Sequence, residues 1–300
     1  MRIATRGSEL ARWQATFVAE RLGAVDPDVT IELVYVETAG DRHVDVPVWE
    51  MGGQGVFVKE VQAAVLEGRA DMAVHSAKDL PSITAPGLLL ASVPVREDPR
   101  DALVGSTLAG LPAGARVATG SVRRRAQLAW QRPDLTFASL RGNIPTRIAK
   151  ASGFDAIVVA MAALVRLGLA AKATEALEPD VLIPQVGQGA LAVECRAGDD
   201  QTADRLRRIE DASARRAVDA ERAFLARLGG GCDLPVAAYA TANRLGGLTI
   251  DGMLASLDGR ILLRDRAEGD SERGAAVGAA LAESLLFDAG GSALLHDLGQ

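Results

Sequence analysis

Short strand-like runs hand over to helical patterns repeatedly through the first two-thirds of this 300-residue chain, and that alternation is what most limits its fold. A strand around residues 2–5 leads into a helix over about 8–22, with Ser8 placed to cap it. Residues 30–37 alternate apolar and polar side chains as a half-buried strand does. Gly52-Gly53-Gln54-Gly55 precedes a helix over 56–66, and 71–75 is the next strand. Such alternation predicts α/β units with mainly parallel sheets, whose ligands sit beyond the carboxyl ends of the strands. Residues 92–99 and 183–189 read as hinges, and the segment between them as an α/β domain of its own. Residues 190–196 are strand-like again. The C-terminal part differs: a helix over about 213–228, strand-like runs near 235–241, 248–256 and 261–267, and a helix near 272–287 predict a small α+β domain.

Arginine gathers at two of these handovers. Thr119-Gly120-Ser121-Val122-Arg123-Arg124-Arg125 follows the strand-like Arg116-Val117-Ala118, and Leu140-Arg141-Gly142-Asn143-Ile144-Pro145-Thr146-Arg147 ends a second strand-like run. A helix N-terminus attracts anions through its unpaired N–H groups and its dipole, and guanidinium adds bidentate recognition of carboxylate or phosphate. A run of like charge is ordinarily a solvated helix face. The recurrence at Arg141 and Arg147, and the Gly120-Ser121 entrance, point instead to an anion site that takes at most two of the three adjacent arginines. The net charge of −6 and a pI near 5.3 give no broad basic field, which disfavours nonspecific nucleic-acid binding. The focused basic charge suits a small anionic ligand. The 48% hydrophobic fraction is ample for packed cores.

Of the two cysteines, Cys195 lies in an apolar strand-like run and reads as inert. Cys232 follows Gly229-Gly230-Gly231, where backbone freedom and few packing neighbours leave a thiol able to reach a cleft. Two cysteines do not make a disulfide scaffold, and His43, His75 and His296 are too scattered for a zinc site, so no metal is expected. His75-Ser76-Ala77-Lys78-Asp79-Leu80-Pro81 ends a strand in a charged cluster. It is either a solvated turn with a local ion pair or a carboxylate aimed into a cleft, where it could steady a developing cation. Gly187-Gln188-Gly189-Ala190-Leu191-Ala192 matches a dinucleotide fingerprint only formally, because a strand follows it where a helix is required. The first residues are strand-like rather than a leader, and no apolar run reaches the ~18 residues of a membrane span, so a cytoplasmic protein is expected.

Taken in order, Arg2-Ile3-Ala4-Thr5-Arg6-Gly7-Ser8, Gly55-Val56-Phe57-Val58-Lys59-Glu60, the His75–Pro81 cluster, Ser121-Val122-Arg123-Arg124, the Leu140–Arg147 motif, Val186-Gly187-Gln188-Gly189-Ala190-Leu191, Glu194-Cys195-Arg196 and Gly230-Gly231-Cys232 resemble the porphobilinogen deaminase family. The resemblance runs from residue 2 past Cys232 and fades beyond about residue 245. It implies two domains like type II periplasmic binding proteins and a third, cysteine-bearing domain, with boundaries at 1–94 plus 189–207, 98–184 and 211–300. It implies a dipyrromethane cofactor joined by a thioether to Cys232, and four head-to-tail condensations of porphobilinogen, each losing ammonia, before hydrolysis releases hydroxymethylbilane. Asp79 matches the catalytic carboxylate. Lys78, Ser121, Arg123 and Arg124 match cofactor contacts, and Arg6, Ser8, Phe57, Arg141, Arg147 and Arg166 match substrate contacts. A monomer that passes its product to uroporphyrinogen-III synthase is further implied. Arg125 matches no binding position and reads as solvated or structural.

Three positions depart from the family pattern. Gln54 stands where Lys is common, Pro145 where Gly is frequent, and Gly120 where Ser is usual. Pro145 suits the first turn of a helix. The rival reading is a small-anion binding protein of the same two-lobed build without turnover, from which an exposed Cys232 would distinguish an enzyme.

Overall fold

A computed structural model describes residues 1–42, 55–229, 234–243 and 245–298, so the expectations for Gln54 and Cys232 lie outside the described residues. The chain begins with β1 (Arg2–Arg6), α1 (Glu9–Val25), β2 (Glu32–Val36), α2 (Ala39–Arg42), α3 (Lys59–Leu66), β3 (Met72–Ser76) and β4 (Leu88–Ser92). It crosses to form β5 (Asp101–Val104), β6 (Arg116–Ala118), α4 (Val122–Gln131), β7 (Thr136–Ala138), α5 (Ile144–Ala149), β8 (Ala156–Ala160), α6 (Met161–Arg166) and β9 (Glu175–Leu177). It then returns as β10 (Leu191–Arg196) and α7 (Asp200–Arg207). The C-terminal part is α8 (Ala212–Arg227), β11 (Val236–Ala242), β12 (Gly247–Ala255), β13 (Leu262–Asp270), α9 (Gly274–Glu283) and α10 (Gly291–Leu298).

Local chemistry explains the elements that frame the site. Ile3, Ala4 and Thr5 of β1 are all fully buried, as in a sheet covered on both faces. The Ser8 hydroxyl accepts from Ala11 N (3.3 Å) and caps α1, whose buried Ala11, Ala15, Val18 and Leu22 recur at helical spacing. The helix expected over 56–66 starts only at Lys59, because the N–H groups of Val58 and Lys59 both turn back to Gly55 O. Pro145 sits in the first turn of α5, where it has no hydrogen bond to break, and Asn143 caps that helix through Thr146 N (2.9 Å).

The first sheet has the order β2-β1-β3-β10-β4, with β10 antiparallel to both neighbours. The second has the order β7-β6-β8-β5-β9, with β5 antiparallel to both neighbours. The two lobes therefore share one topology: parallel strands plus a single reversed strand, supplied in each case just after the chain changes lobes. The pair of like α/β lobes is what the family resemblance implies. The third sheet is an antiparallel meander, β11-β12-β13. It packs under α8 and α9 around fully buried Phe224, Ile250, Leu254 and Leu285.

Both crossings run side by side, with Glu97 N donating to Gly189 O at 3.1 Å. Gly189 has φ +84°, and a Cβ there would lie 2.3 Å from Glu97 O, so only glycine lets the two strands approach. Glu221 of α8 ties this junction to the C-terminal unit. Its fully buried carboxylate accepts from Arg96 (2.6 and 3.2 Å), Gly187 N (2.7 Å) and Ala240 N (2.8 Å). With four donors the buried charge is fully satisfied.

Candidate active site

The carboxyl ends of β1 and β3 face the N-termini of α4 and α5 across the gap between the lobes. A wide cleft of about 2210 Å³, counting space open to solvent, is lined there by Arg6, Ser8, Phe57, Lys78, Asp79, Arg124, Arg141 and Arg147 among others. A second pocket, 640 Å³ on the same count, lies toward the C-terminal unit. Its walls include Lys78, Asp79, Ser121, Arg123, Gln185, Arg222 and the apolar Val186, Leu225, Leu234 and Val236. Among the described residues, Lys78 and Asp79 are the two common to both linings. They lie on a 3-10 turn, Ala77–Asp79, directly after β3.

The arginine run is sorted by burial. Arg125 is exposed, whereas Arg123 and Arg124 are only 3% and 5% exposed. Both grip the fully buried Asp101 at the head of β5: Arg123 Nη2 at 2.7 Å, Arg124 Nε at 2.9 Å and Nη2 at 2.7 Å. Gln188 Nε2 adds a fourth donor at 2.8 Å. Burial pushes the Asp101 carboxyl up, but Arg123, Arg124 and Gln188 outweigh it and hold it down at about 2. Asp101 and Gln188 were not singled out from the sequence. The one signal for Asp101 was a lone acid heading an apolar strand, Asp101-Ala102-Leu103-Val104. Ser121 caps α4 through Arg124 N at 3.4 Å. At Gly120 a Cβ would stand 2.8 Å from Leu140 O, so the backbone leaves little room for the family's usual serine.

Other expected residues have neighbours of their own. Arg6 pairs with Asp41 and lies 4.2 Å from the Phe57 ring centroid. Arg147 donates to Gly142 O at 2.7 Å, and burial together with Arg124 and Arg141 pushes its pKa down to about 10. Arg166, expected beside the substrate, is not among the described residues that line the cleft, although Ala163 and Leu167 of the same segment are. Its Nη2 donates to Gly189 O at 2.7 Å and its guanidinium lies 5.6 Å from the Trp13 ring, so it braces the junction between the lobes. Cys195 is fully buried, and burial pushes its thiol up to about 11, as an inert cysteine requires.

Lys78 donates to Gln188 Oε1 at 3.4 Å. Burial, then the charge of Arg124, pushes its ammonium down to about 8, against the opposing pull of Asp79 and Asp101. A lysine with a depressed pKa loses its charge as pH rises through that value. Anion affinity is therefore expected to fall above pH about 8 and to stay flat in Lys78→Arg. Phosphate titrations from pH 7 to 9 test this, and equal slopes in the two proteins would assign the loss to another group.

Two α/β lobes thus enclose a guanidinium-lined cleft onto which Lys78 and Asp79 open. Residues 1–204 match the family model described as porphobilinogen deaminase, dipyromethane cofactor binding domain, and residues 215–287 match that of the porphobilinogen deaminase C-terminal domain. The porphobilinogen deaminase of Roseiflexus castenholzii is 51% identical over 298 residues (98% of this chain, 97% of that protein), and that of Syntrophotalea carbinolica is 48% identical over 291 residues (95% and 92%). The chain belongs to the porphobilinogen deaminase family, the hydroxymethylbilane synthases, which condense porphobilinogen into hydroxymethylbilane in tetrapyrrole biosynthesis. Among solved structures, a nutrient binding protein from Burkholderia cenocepacia bound to methionine is similar at a TM-score of 0.42 and 13% identity, covering 69% of this chain and 89% of that one. Among the described residues no helix is long and apolar enough to cross a membrane, and no group of His, Cys, Asp and Glu could hold a metal ion.

Proposed function

We propose that this chain builds hydroxymethylbilane at the wall shared by its two cavities, with Asp79 carrying the chemistry. The observation behind this reading is that Lys78 and Asp79 line both spaces. A residue that serves both a growing chain and an incoming unit has to stand where the two meet.

The inner pocket fits a dipyrromethane. Its apolar walls suit flat pyrrole rings, and Lys78, Arg123 and Arg222 suit their carboxylate arms. Arg123 Nε is buried with no hydrogen-bond partner among the described residues, a donor left over for a ligand. Leu234, two residues after Cys232, lines this pocket, which supports Cys232 as the thioether anchor. Lys78, Ser121, Arg123 and Arg124 would hold the cofactor, which when bound supplies the nucleophilic pyrrole carbon that primes the chain. In the outer cleft Arg6, Ser8, Phe57, Arg141 and Arg147 hold porphobilinogen through its acetate and propionate. As ammonia leaves the substrate's aminomethyl arm, the Asp79 carboxylate stabilises the positive charge left on the ring and its methylene carbon. A carbon–carbon bond then replaces the broken carbon–nitrogen bond, and the attacking pyrrole carbon loses its ring proton to the Asp79 carboxylate. Arg166, at the junction between the lobes with its Nε lacking a hydrogen-bond partner among the described residues, is the remaining proposed substrate contact. The three sheets correspond in this reading to domains at 1–94 with 189–207, 98–184 and 211–300. The protein acts as a cytoplasmic monomer whose product passes to uroporphyrinogen-III synthase.

Intact-mass spectrometry tests the reading. The purified protein is expected to exceed the mass of the bare chain by one dipyrromethane, and Cys232→Ala to lack the excess. A bare-chain mass that stays unchanged after porphobilinogen is supplied would sink the enzyme reading.

A further inference from the structure

We propose that Asp41 is an internal carboxylate that occupies the Arg6 subsite until a substrate arm displaces it, and thereby sets which anions the cleft admits. The proposal rests on the reading of Arg6 as a substrate contact. Arg6 ends β1 and presents two N–H groups to the two carboxylate oxygens of Asp41, Nε to Oδ2 at 3.2 Å and Nη2 to Oδ1. That fork-to-fork geometry is the one arginine offers a ligand carboxylate. The Phe57 ring stacks on the same guanidinium, so the subsite has one covered face and one carboxylate already in place.

Asp41 is itself held for the purpose. Thr38, fully buried, donates to Asp41 Oδ2 from its N–H (3.2 Å) and its hydroxyl (2.7 Å). Burial raises the Asp41 pKa, but the bonds from Arg6 and Thr38 outweigh it, so the group stays ionised at neutral pH. The contrast with Asp101 decides the role. Asp101 and its arginines are sealed from solvent, whereas the Arg6 and Asp41 side chains remain 23% and 25% exposed. A pair this open exchanges partners readily. Glu9 and Glu37 also line the cleft near this subsite, so a compact anion gains little by entering. A ligand with two carboxylate arms succeeds, because Arg141 and Arg147 hold one arm while the other replaces Asp41.

Asp41→Asn removes the internal charge and keeps the shape. The holoenzyme and this variant are compared for kcat and KM with porphobilinogen, for inhibition by inorganic phosphate, and for phosphate affinity by calorimetry. The variant is expected to lower KM about two- to fivefold, the scale of a partly exposed ion pair, and to tighten phosphate binding at least as much. Asp41→Glu, which keeps the charge, is expected to stay close to the native protein in both. A raised KM, or phosphate affinity unchanged in Asp41→Asn, would make Asp41 a support for Arg6 and overturn the proposal. The calorimetric comparison does not depend on turnover, so a native protein that makes no hydroxymethylbilane would defeat the enzyme reading and leave Asp41 still judged by phosphate.

Discussion

Replacing Asp79 by alanine is expected to slow hydroxymethylbilane formation by roughly 10²–10⁴-fold, the range for removal of a positioned acid–base or charge-stabilising group. The fold should be indifferent to the change. Asp79 is half-buried at the end of a 3-10 turn, and substitutions away from packed or paired positions stay within ~0.5 kcal/mol. The loss should appear in kcat more than in KM, since the arginines proposed to bind the carboxylates are untouched. Single-turnover measurements on protein shown by mass to carry its cofactor separate a chemical defect from failed assembly. Asp79→Glu should lose less, because it keeps the charge but misplaces it. Near-native turnover in the alanine variant would remove Asp79 from the mechanism.

The largest effect on stability is expected at Asp101. Asp101→Asn leaves Arg123 and Arg124 buried without their counter-charge, and breaking a buried ion pair in this way costs about 3–5 kcal/mol. Chemical denaturation at pH 7 reads the cost, and a midpoint equal to the native protein's would refute it. The pH dependence has a definite sign. The folded pKa of about 2 lies below the ordinary 3.8, so the contribution is complete above pH 4 and is lost as pH falls from there through about 2. On that shift it amounts to roughly 2 kcal/mol, less than the mutational cost, which also includes leaving two buried guanidinium groups without their acceptor. The asparagine variant should lose that part of the acid dependence.

These two residues mark the limits of what the chain discloses before it folds. The place of Asp79 on a cavity wall was one of two readings open in the sequence, because a strand end, a lysine and a tight turn lie within seven consecutive positions, His75 to Pro81. The Ser8 cap was legible for the same reason, since a cap acts three residues away. Asp101 was hidden because its partners come from α4 and from the second crossing, more than twenty and more than eighty residues distant. The arginine run pointed to the right place but concealed a division of labour. Two guanidinium groups answer an internal acid before any ligand arrives, and only tertiary pairing reveals it. The neighbours of Arg166 were hidden for a related reason: Gly189 O and the Trp13 ring belong to the other side of the junction.

The strand order also dictates a timetable for synthesis. Every strand of the second sheet lies between Asp101 and Leu177, so that lobe can close as soon as its own segment leaves the ribosome. The first lobe cannot. Its β3 and β4 are joined only through β10, which emerges about a hundred residues after β4, so until then both strands stand as open edges able to pair with another chain. The lobe translated first is thus completed second, and the interval between them is the period in which the nascent protein is most exposed to misassembly.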